Sequence, residues 1–235
     1  MPKLNRKTLL SHLTEVDGFL RDDEALLLYD LAKTNKSSGV IVEIGSWKGK
    51  STICLASATN STVYAIDPHT GSPEHRKKMG KVDTYQDFLT NIRHAKLSQK
   101  VKPLRLTSKQ AITKINEPIS LLFIDGDHSY KSVLQDFKLY YPKLNLGGII
   151  AFHDTVSWPG PRQVVTQHLY LGNHFKNIHL LGSITYAERV AHLTLIDRGK
   201  NYYAFLLRLV RNIFAVIPTP KPIREFLKTL FQKLQ

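Results

Sequence analysis

Short apolar runs alternate with helical segments along this chain of 235 residues. The first run, residues 40–44, is rich in β-branched residues, and a glycine-bearing turn and a helical segment at residues 51–59 follow it. Strands buried on both faces are apolar throughout, and strands that alternate with helices form parallel sheets with right-handed crossovers. The alternation therefore predicts an α/β fold around a doubly wound, mostly parallel sheet.

The predicted elements follow from apolar spacing and from the turn residues between them. Strands are predicted at residues 40–44, 62–66, 101–106, 119–124, 149–152, 177–181 and 190–196. Helices are predicted at residues 22–33, 51–59, 83–97, 108–115, 130–141 and 162–171. Pro103 cannot donate to a sheet ladder, so the strand that contains it is expected at an edge. Residues 69–82 are polar and basic and contain Gly71, Pro73 and Gly80, which predicts a mobile loop.

Composition and charge indicate the cellular compartment of the protein and the kind of partner it binds. Cys54 is the single cysteine, so neither a disulfide framework nor a cysteine metal cluster is expected. Residues 1–10 lack the apolar centre of a signal peptide, and no run reaches the roughly 18 apolar residues of a spanning helix. These features predict a cytoplasmic protein. The net charge of +14 is concentrated in residues 69–109 and 198–235, which favours anionic partners.

Polar side chains follow two of the predicted strands. The run 119–124 ends in Asp125, Asp127 and His128, and the run 149–152 ends in His153 and Asp154. In open α/β sheets, ligands bind beyond the carboxyl ends of the strands. These residues are therefore the first candidates for chemistry.

A second candidate site lies at the turn that follows the first strand. Gly45 and Gly49 are four residues apart, so neither the dinucleotide fingerprint nor a phosphate-binding loop is present. The start of the next helix offers free N–H groups to an anion such as a carboxylate. Asp67 follows the second strand, 22 residues after Gly45, where an acid suits ribose hydroxyls. The combination predicts an adenosine ligand that is not a dinucleotide.

Taken together, these motifs resemble a known family. Glu43-Ile44-Gly45 with Gly49, then Asp67, then Ile124-Asp125-Gly126, is similar to class I S-adenosylmethionine-dependent methyltransferases. The segments 124–130 and 147–154 resemble the cephalosporin-hydroxylase-like and macrocin-O-methyltransferase-like enzymes, the methyltransferase 24 type. The resemblance covers roughly residues 20–197. It implies a Rossmann-like, seven-stranded sheet, to which the sequence pattern adds helical N-terminal and C-terminal extensions.

The resemblance also implies roles for individual residues. The cofactor-binding residues would be Glu43, Gly45, Ser46, Trp47, Gly49, Ser51, Asp67, Ser108 and Asp125. A divalent metal, Mg or Mn, would be held by Asp125, Asp154 and His153, and His128 would be the general base. Methyl transfer from a sulfonium needs a deprotonated, aligned nucleophile, which a metal or a base can supply.

Two alternatives remain open at the catalytic end. His153 is a metal ligand in one, and in the other it is a hydrogen-bond partner of a ligand or a contact of the substrate. An enzyme without a metal would use His128 and His153 directly. Asp127 is expected to cap the helix that follows it.

The expected activity is methyl transfer to a hydroxyl of a sugar, a glycolipid or a secondary metabolite. The basic surface suggests an RNA methyltransferase as the alternative, and a non-catalytic binding module is a third hypothesis. Motifs of the Asn-Pro-Pro-Tyr type and an aromatic-basic RNA-binding pattern are missing from the sequence. Nucleic acid is therefore the less favoured partner, and a small-molecule acceptor is expected.

The C-terminal tail is basic and amphipathic. Residues 198–235 hold eight Lys and Arg and the single acid Glu225, and apolar residues in 223–235 recur at helical spacing. This face would pack on the domain or on a second subunit in a homodimer, or residues 201–235 would dock peripherally on an anionic membrane. The expected layout is an N-terminal helical extension at 1–35, a methyltransferase domain at 36–197 and the tail at 198–235.

Overall fold

The computed structural model describes residues 6–216, except for the side chains of residues 74, 75, 79 and 212–216. The amphipathic segment 223–235 predicted from the sequence lies outside the described residues. Within the described part, no helix combines the length and the apolar content that crossing a bilayer requires.

A seven-stranded sheet forms the centre of the fold. Its strands are β1 (Val40–Ile44), β2 (Val63–Ile66), β3 (Val101–Leu104), β4 (Ile119–Ile124), β5 (Leu144–Phe152), β6 (Phe175–Leu181) and β7 (Ile184–Arg189). The strand order is β3-β2-β1-β4-β5-β7-β6, and only the pairings of β7 with β5 and β6 are antiparallel. The sheet is mostly parallel, and β3 with Pro103 lies at an edge, as predicted.

Helices cover both faces of this sheet. They are α1 (Arg6–Leu13), α2 (Asp22–Thr34), α3 (Lys50–Ala58), α4 (Pro73–Met79), α5 (Tyr85–His94), α6 (Ser108–Ala111), α7 (Tyr130–Tyr140), α8 (Pro159–Val165) and α9 (Leu195–Val216). Alternate residues of the strands enter two separate cores. Ile41 and Phe123 pack with α1, α2, α3 and α5, whereas Val42 and Leu122 pack with α7 and α8. This is the doubly wound arrangement that the alternation predicts.

The predicted strand at 190–196 is wrong. The hairpin turns at Gly182, where φ is +62°, and β7 ends at Arg189. Thr194 then caps α9: its N–H and hydroxyl donate to Asp197 Oδ2, and its hydroxyl accepts from the Asp197 N–H at 3.1 Å. The sequence signal for this helix start is the Thr-x-x-Asp spacing at 194–197, which is a capping box.

The predicted loop at 69–82 contains a helix. Pro73 opens α4, where its missing N–H costs no hydrogen bond, and Arg76 donates to the Gly71 carbonyl oxygen at 2.6 Å. Cys54 lies buried in α3, as the apolar pattern of that helix predicts.

Gly45 marks the point where β1 leaves the sheet between β2 and β4. Its φ is +90°, and its N–H donates to the Ile66 carbonyl oxygen at 2.8 Å. The Asp125 N–H donates to the Ile44 carbonyl oxygen at 2.8 Å. A Cβ at Gly45 would lie 2.0 Å from the Asp125 carbonyl oxygen, so the backbones of β1 and β4 approach here as closely as glycine allows.

We predict that Gly45→Ala lowers the free energy of unfolding by more than about 3 kcal/mol, because backbone must move to admit the methyl group. Gly147→Ala is the matched control, since Gly147 has φ +76° but open space around its Cβ position. Left-handed strain alone should cost it about 1–2 kcal/mol. Urea unfolding of both variants measures the difference, and equal losses would contradict the close approach.

Candidate active site

Acidic residues follow three of the parallel strands at the carboxyl edge of the sheet. Asp67 follows β2, Asp125 follows β4, and Asp154 lies two residues beyond β5. The carboxyl ends of parallel strands meet at this edge, and a cavity of about 920 Å³ opens there. All three acids line it. The cavity is therefore the candidate active site.

His128 lies between the acids of β4 and β5. One ligand atom from each of Asp125, His128 and Asp154 lies within 4.8 Å of the others, and His128 Nε2 is 3.1 Å from Asp154 Oδ2. Burial raises the pKa of Asp154, but the hydrogen bond from His128 and the positive charge of His153 outweigh it and lower this pKa. Asp154 is therefore a carboxylate at neutral pH.

A tryptophan fixes the plane of the His128 ring. The Trp158 ring stacks on it with centroids 4.4 Å apart. The backbone N–H of Trp158 donates to the Asp154 carbonyl oxygen at 3.1 Å. The start of α8 packs tightly against the 128–130 segment, because a Cβ at Gly160 would lie 2.2 Å from the His128 carbonyl oxygen. Trp158 and His128 are thus brought together by backbone contacts on both sides.

His153 lies behind this cluster and is 6% exposed. Its Nδ1 is 3.0 Å from Asp125 Oδ1, and its Nε2 is 3.4 Å from Glu24 Oε2. Burial lowers the pKa of His153, but the charge and hydrogen bond of Asp125 and the hydrogen bond of Glu24 raise it to about 11. The ring is therefore an imidazolium, with both nitrogens directed at carboxylates. His153 Nδ1 is also 3.6 Å from Asp154 Oδ2, so both histidines lie beside the two acids. The group of possible metal ligands contains His128, whereas His153 faces carboxylates with both nitrogens.

Glu24, from α2, completes the environment of His153. It is 1% exposed and accepts from the Ser183 N–H at 2.7 Å, the Ser183 hydroxyl at 2.8 Å and the Arg21 N–H at 3.1 Å. Burial raises the pKa of Glu24, but these hydrogen bonds and that of His153 lower it to about 2. Glu24 is not predicted from the sequence, where its one local signal is an acid on the buried side of an amphipathic helix.

The glycine turn forms the opposite wall of the cavity. Gly45, Ser46, Trp47 and Ser51 line it, and Ser46 Oγ is buried without a hydrogen-bond partner among the described residues. Asp67 accepts from the Trp47 N–H at 2.8 Å on Oδ2 and from the His69 N–H at 2.6 Å on Oδ1.

Two of the predicted cofactor-binding residues do not line the cavity. Glu43 is fully buried, accepts a hydrogen bond from the Thr52 hydroxyl, and has a pKa that burial raises to about 8. Gly49 has φ +90° and caps α3, and a Cβ there would press on the ring of Phe88 at 3.2 Å. Both residues support the turn from behind.

Ser108 marks the third part of the cavity. Thr107 caps α6 by accepting from the Gln110 N–H, and this cap places Ser108 in the cavity wall. The Ser108 hydroxyl donates to Asp136, a buried residue of α7 that also lines the cavity. Burial raises the pKa of Asp136 to about 6, against the hydrogen bond from Ser108. Sequence reasoning missed Asp136, because a lone acid in a helix is more often a surface residue.

Comparison with known proteins shows which family this part of the chain resembles. Residues 42–155, from β1 to the residue after Asp154, match the family described as a methyltransferase domain. This part of the chain is therefore similar to methyltransferase domains. Its seven-stranded sheet is the class I methyltransferase fold, so the resemblance seen in the sequence is confirmed.

Several known proteins are similar to this chain in sequence or in fold. A segment of 147 residues is 33% identical to an uncharacterised protein of Acanthamoeba polyphaga mimivirus, covering 59% of this chain and 62% of that protein. The O-methyltransferase NovP superposes with a TM-score of 0.63 at 19% identity, over 72% of this chain and 80% of NovP. The Streptomyces achromogenes O-methyltransferase TomG, solved with S-adenosylmethionine, superposes with a TM-score of 0.58 at 15% identity, over 79% of this chain and 88% of TomG. The chain spans less than two thirds of the curated relatives it matches.

We predict that Glu24→Gln lowers the free energy of unfolding by about 3 kcal/mol at neutral pH, because the buried His153 imidazolium loses one of its counter-charges. A lowered pKa means that Glu24 contributes stability above its ordinary pKa of about 4.3, and that this contribution is lost as the pH falls towards 2. The wild-type and variant stabilities should therefore converge over this range in urea unfolding.

Asp22→Asn is the matched control for this prediction. Asp22 lies in the same first turn of α2 but is exposed. Its loss should be about 0.5 kcal/mol, from the helix dipole alone. A constant difference between wild type and Glu24→Gln down to pH 2 would contradict the charge assignment.

Proposed function

We propose that this protein transfers a methyl group from S-adenosylmethionine to a hydroxyl of a small molecule. The observation that carries the proposal is one cavity with two unlike walls. The glycine turn, Asp67 and Ser108 form one wall, and the cluster of Asp125, His128 and Asp154 forms the other. The methyltransferase domain and the cofactor of TomG support the choice of methyl donor.

The first wall suits the adenosine and methionine parts of this donor. Each Asp67 oxygen accepts one backbone N–H, and a carboxylate oxygen has room for a further donor such as a ribose hydroxyl. The buried Ser46 hydroxyl has no partner among residues 6–216, which fits a polar ligand group at that point. Ser51, in the first turn of α3, would lie near a bound carboxylate.

The second wall suits activation of a hydroxyl. The His128 ring would accept the proton of the acceptor hydroxyl, and Asp154, towards which Nε2 is directed, would stabilise the imidazolium that forms. Trp158 holds the ring in place for this transfer. The acceptor oxygen then forms a bond to the methyl carbon, and the electron pair of the broken carbon–sulfur bond stays on sulfur.

The acids of the second wall also fit a divalent cation. Two carboxylates suit Mg²⁺ or Mn²⁺, and an imidazole as third donor favours Mn²⁺. A cation bound there lowers the pKa of a coordinated hydroxyl. Asp125 and Asp154 would hold it, with His128 either as third donor or as the base. His153 remains the partner that fixes Asp125.

We predict that the full chain binds S-adenosylhomocysteine and that Asp67→Asn weakens this binding about tenfold to a hundredfold, because charged hydrogen bonds to the ribose are lost. Isothermal titration measures both affinities. Asp83→Asn is the matched control, since Asp83 is an exposed acid paired with Arg105 outside the cavity wall. Failure of the wild-type chain to bind would refute the proposed donor.

We further predict that His128→Asn lowers turnover about 10²-fold to 10⁴-fold, which is the usual contribution of a general base. Turnover is measured by transfer of a labelled methyl group to a panel of hydroxylated small molecules, with Mg²⁺, Mn²⁺ or a chelator. Affinity for S-adenosylhomocysteine should stay unchanged, because His128 belongs to the second wall of the cavity and not to the wall formed by the glycine turn, Asp67 and Ser108. His94→Asn, at an exposed histidine of α5, serves as control. Loss of cofactor binding in His128→Asn would contradict the base assignment.

A further inference from the structure

The helix α9 presents its polar side chains to the domain. Asn201 and Arg208 are each 2% exposed. Asn201 Nδ2 donates to the Phe175 carbonyl oxygen at 2.7 Å, and Arg208 Nη2 donates to the Thr155 carbonyl oxygen at 2.8 Å. The Arg208 guanidinium also lies over the Tyr170 ring. Hydrogen bonds to backbone carbonyls therefore anchor the helix to the domain, together with Ala204 and Phe205, which pack on the core.

The outward side of α9 is apolar. Seven residues that share this side are between 40% and 87% exposed: Leu195, Ile196, Tyr202, Tyr203, Leu206, Leu209 and Val210. At 3.6 residues per turn they occupy one arc of about 140° along a helix of about 33 Å, and we call them the α9 stripe. A surface helix ordinarily turns its apolar arc inward, and α9 does the opposite. Large exposed apolar patches mark interaction sites.

The charges around the α9 stripe indicate what it contacts. Helical geometry places the exposed residues Arg198 and Lys200 at the two borders of the arc. Residues 217–235 add four Lys and Arg and one Glu. Tyr202 and Tyr203 bring aromatic side chains that favour the boundary between hydrocarbon and water. An apolar arc bordered by cations and containing tyrosines is the pattern of helices that lie in a bilayer interface.

We propose that the α9 stripe docks on an anionic lipid surface, with the helix lying in the plane of the interface. Apolar side chains enter the acyl boundary, and the long side chains of Arg198 and Lys200 reach the phosphate level. A second copy of the chain is the other natural occupant of an apolar stripe. It would bring two strongly basic segments together, because residues 198–235 hold eight cations and one acid, whereas anionic lipid attracts them.

The place of α9 links this surface to the cavity. Arg208 donates a hydrogen bond to the carbonyl oxygen of Thr155, the residue that follows Asp154. Arg211 lies near the carbonyl oxygen of Gly182. The next residue, Ser183, is a hydrogen-bond partner of Glu24. Docking would therefore bring the second wall of the cavity, formed by Asp125, His128 and Asp154, close to the lipid headgroups. The docking proposal itself is independent of methyl transfer and is tested without an acceptor.

The test is flotation of the full chain with vesicles of phosphatidylcholine, with or without phosphatidylserine. We expect binding only when phosphatidylserine is present, and weaker binding as salt is raised. The double variant Ile196→Glu/Leu209→Glu should bind at least about tenfold more weakly. Leu146→Glu/Leu171→Glu is the matched control, because it makes the same charge change at exposed leucines outside α9 and should bind within about twofold of wild type.

Three results would overturn the proposal. The first is failure of the full chain to bind phosphatidylserine vesicles at low salt, or equal binding to both vesicle types. The second is unchanged binding of the α9 stripe variant. The third is a change in sedimentation coefficient or a fall in melting temperature, without lipid, that occurs in the stripe variant and not in the control. That last result would mean that protein, from a second copy or from residues 217–235, covers the stripe.

Discussion

A buried imidazolium between two carboxylates holds the candidate active site together. His153 contacts Asp125 on one side and Glu24 on the other, and the imidazolium itself is only 6% exposed to water. Such an arrangement is stable only while all three groups are in place. Because Glu24 also holds Ser183, the helix α2, the ends of β4 and β5 and the β6–β7 turn share one set of contacts. The geometry of the acids thus depends on a helix outside the sheet.

Much of the framework follows from sequence pattern alone. Parallel strands end at one edge, so acids that follow successive strands must approach each other, and Asp125 and Asp154 do. Pro103 places β3 at an edge because it cannot serve two neighbours. The turn at Gly45 follows from a glycine directly after a buried strand. These inferences succeed because each rests on the backbone, whose rules are local and strict.

The features that the sequence does not predict depend mostly on side-chain direction or on distant partners. The surroundings of His153 depend on Asp154, whose φ of +57° turns the chain, and on Glu24, which lies 129 residues from His153. No local pattern reports either contact. Asp136 looks like a surface acid of α7 until Ser108 is placed against it. The strand expected at 190–196 shows the opposite case, in which the capping box at Thr194 is a local signal that outweighs the apolar residues around it.

The lone thiol has a practical consequence. Cys54 lies fully buried in α3, and burial raises its pKa, so it is a poor target for thiol-directed reagents. Any cysteine placed on the surface would then be the single reactive one, without removal of the natural residue. A fluorophore or spin label can accordingly be attached at one chosen point of the native chain. A label on α4 beside the cavity, or on the outward side of α9, would therefore report directly on the surroundings of that helix.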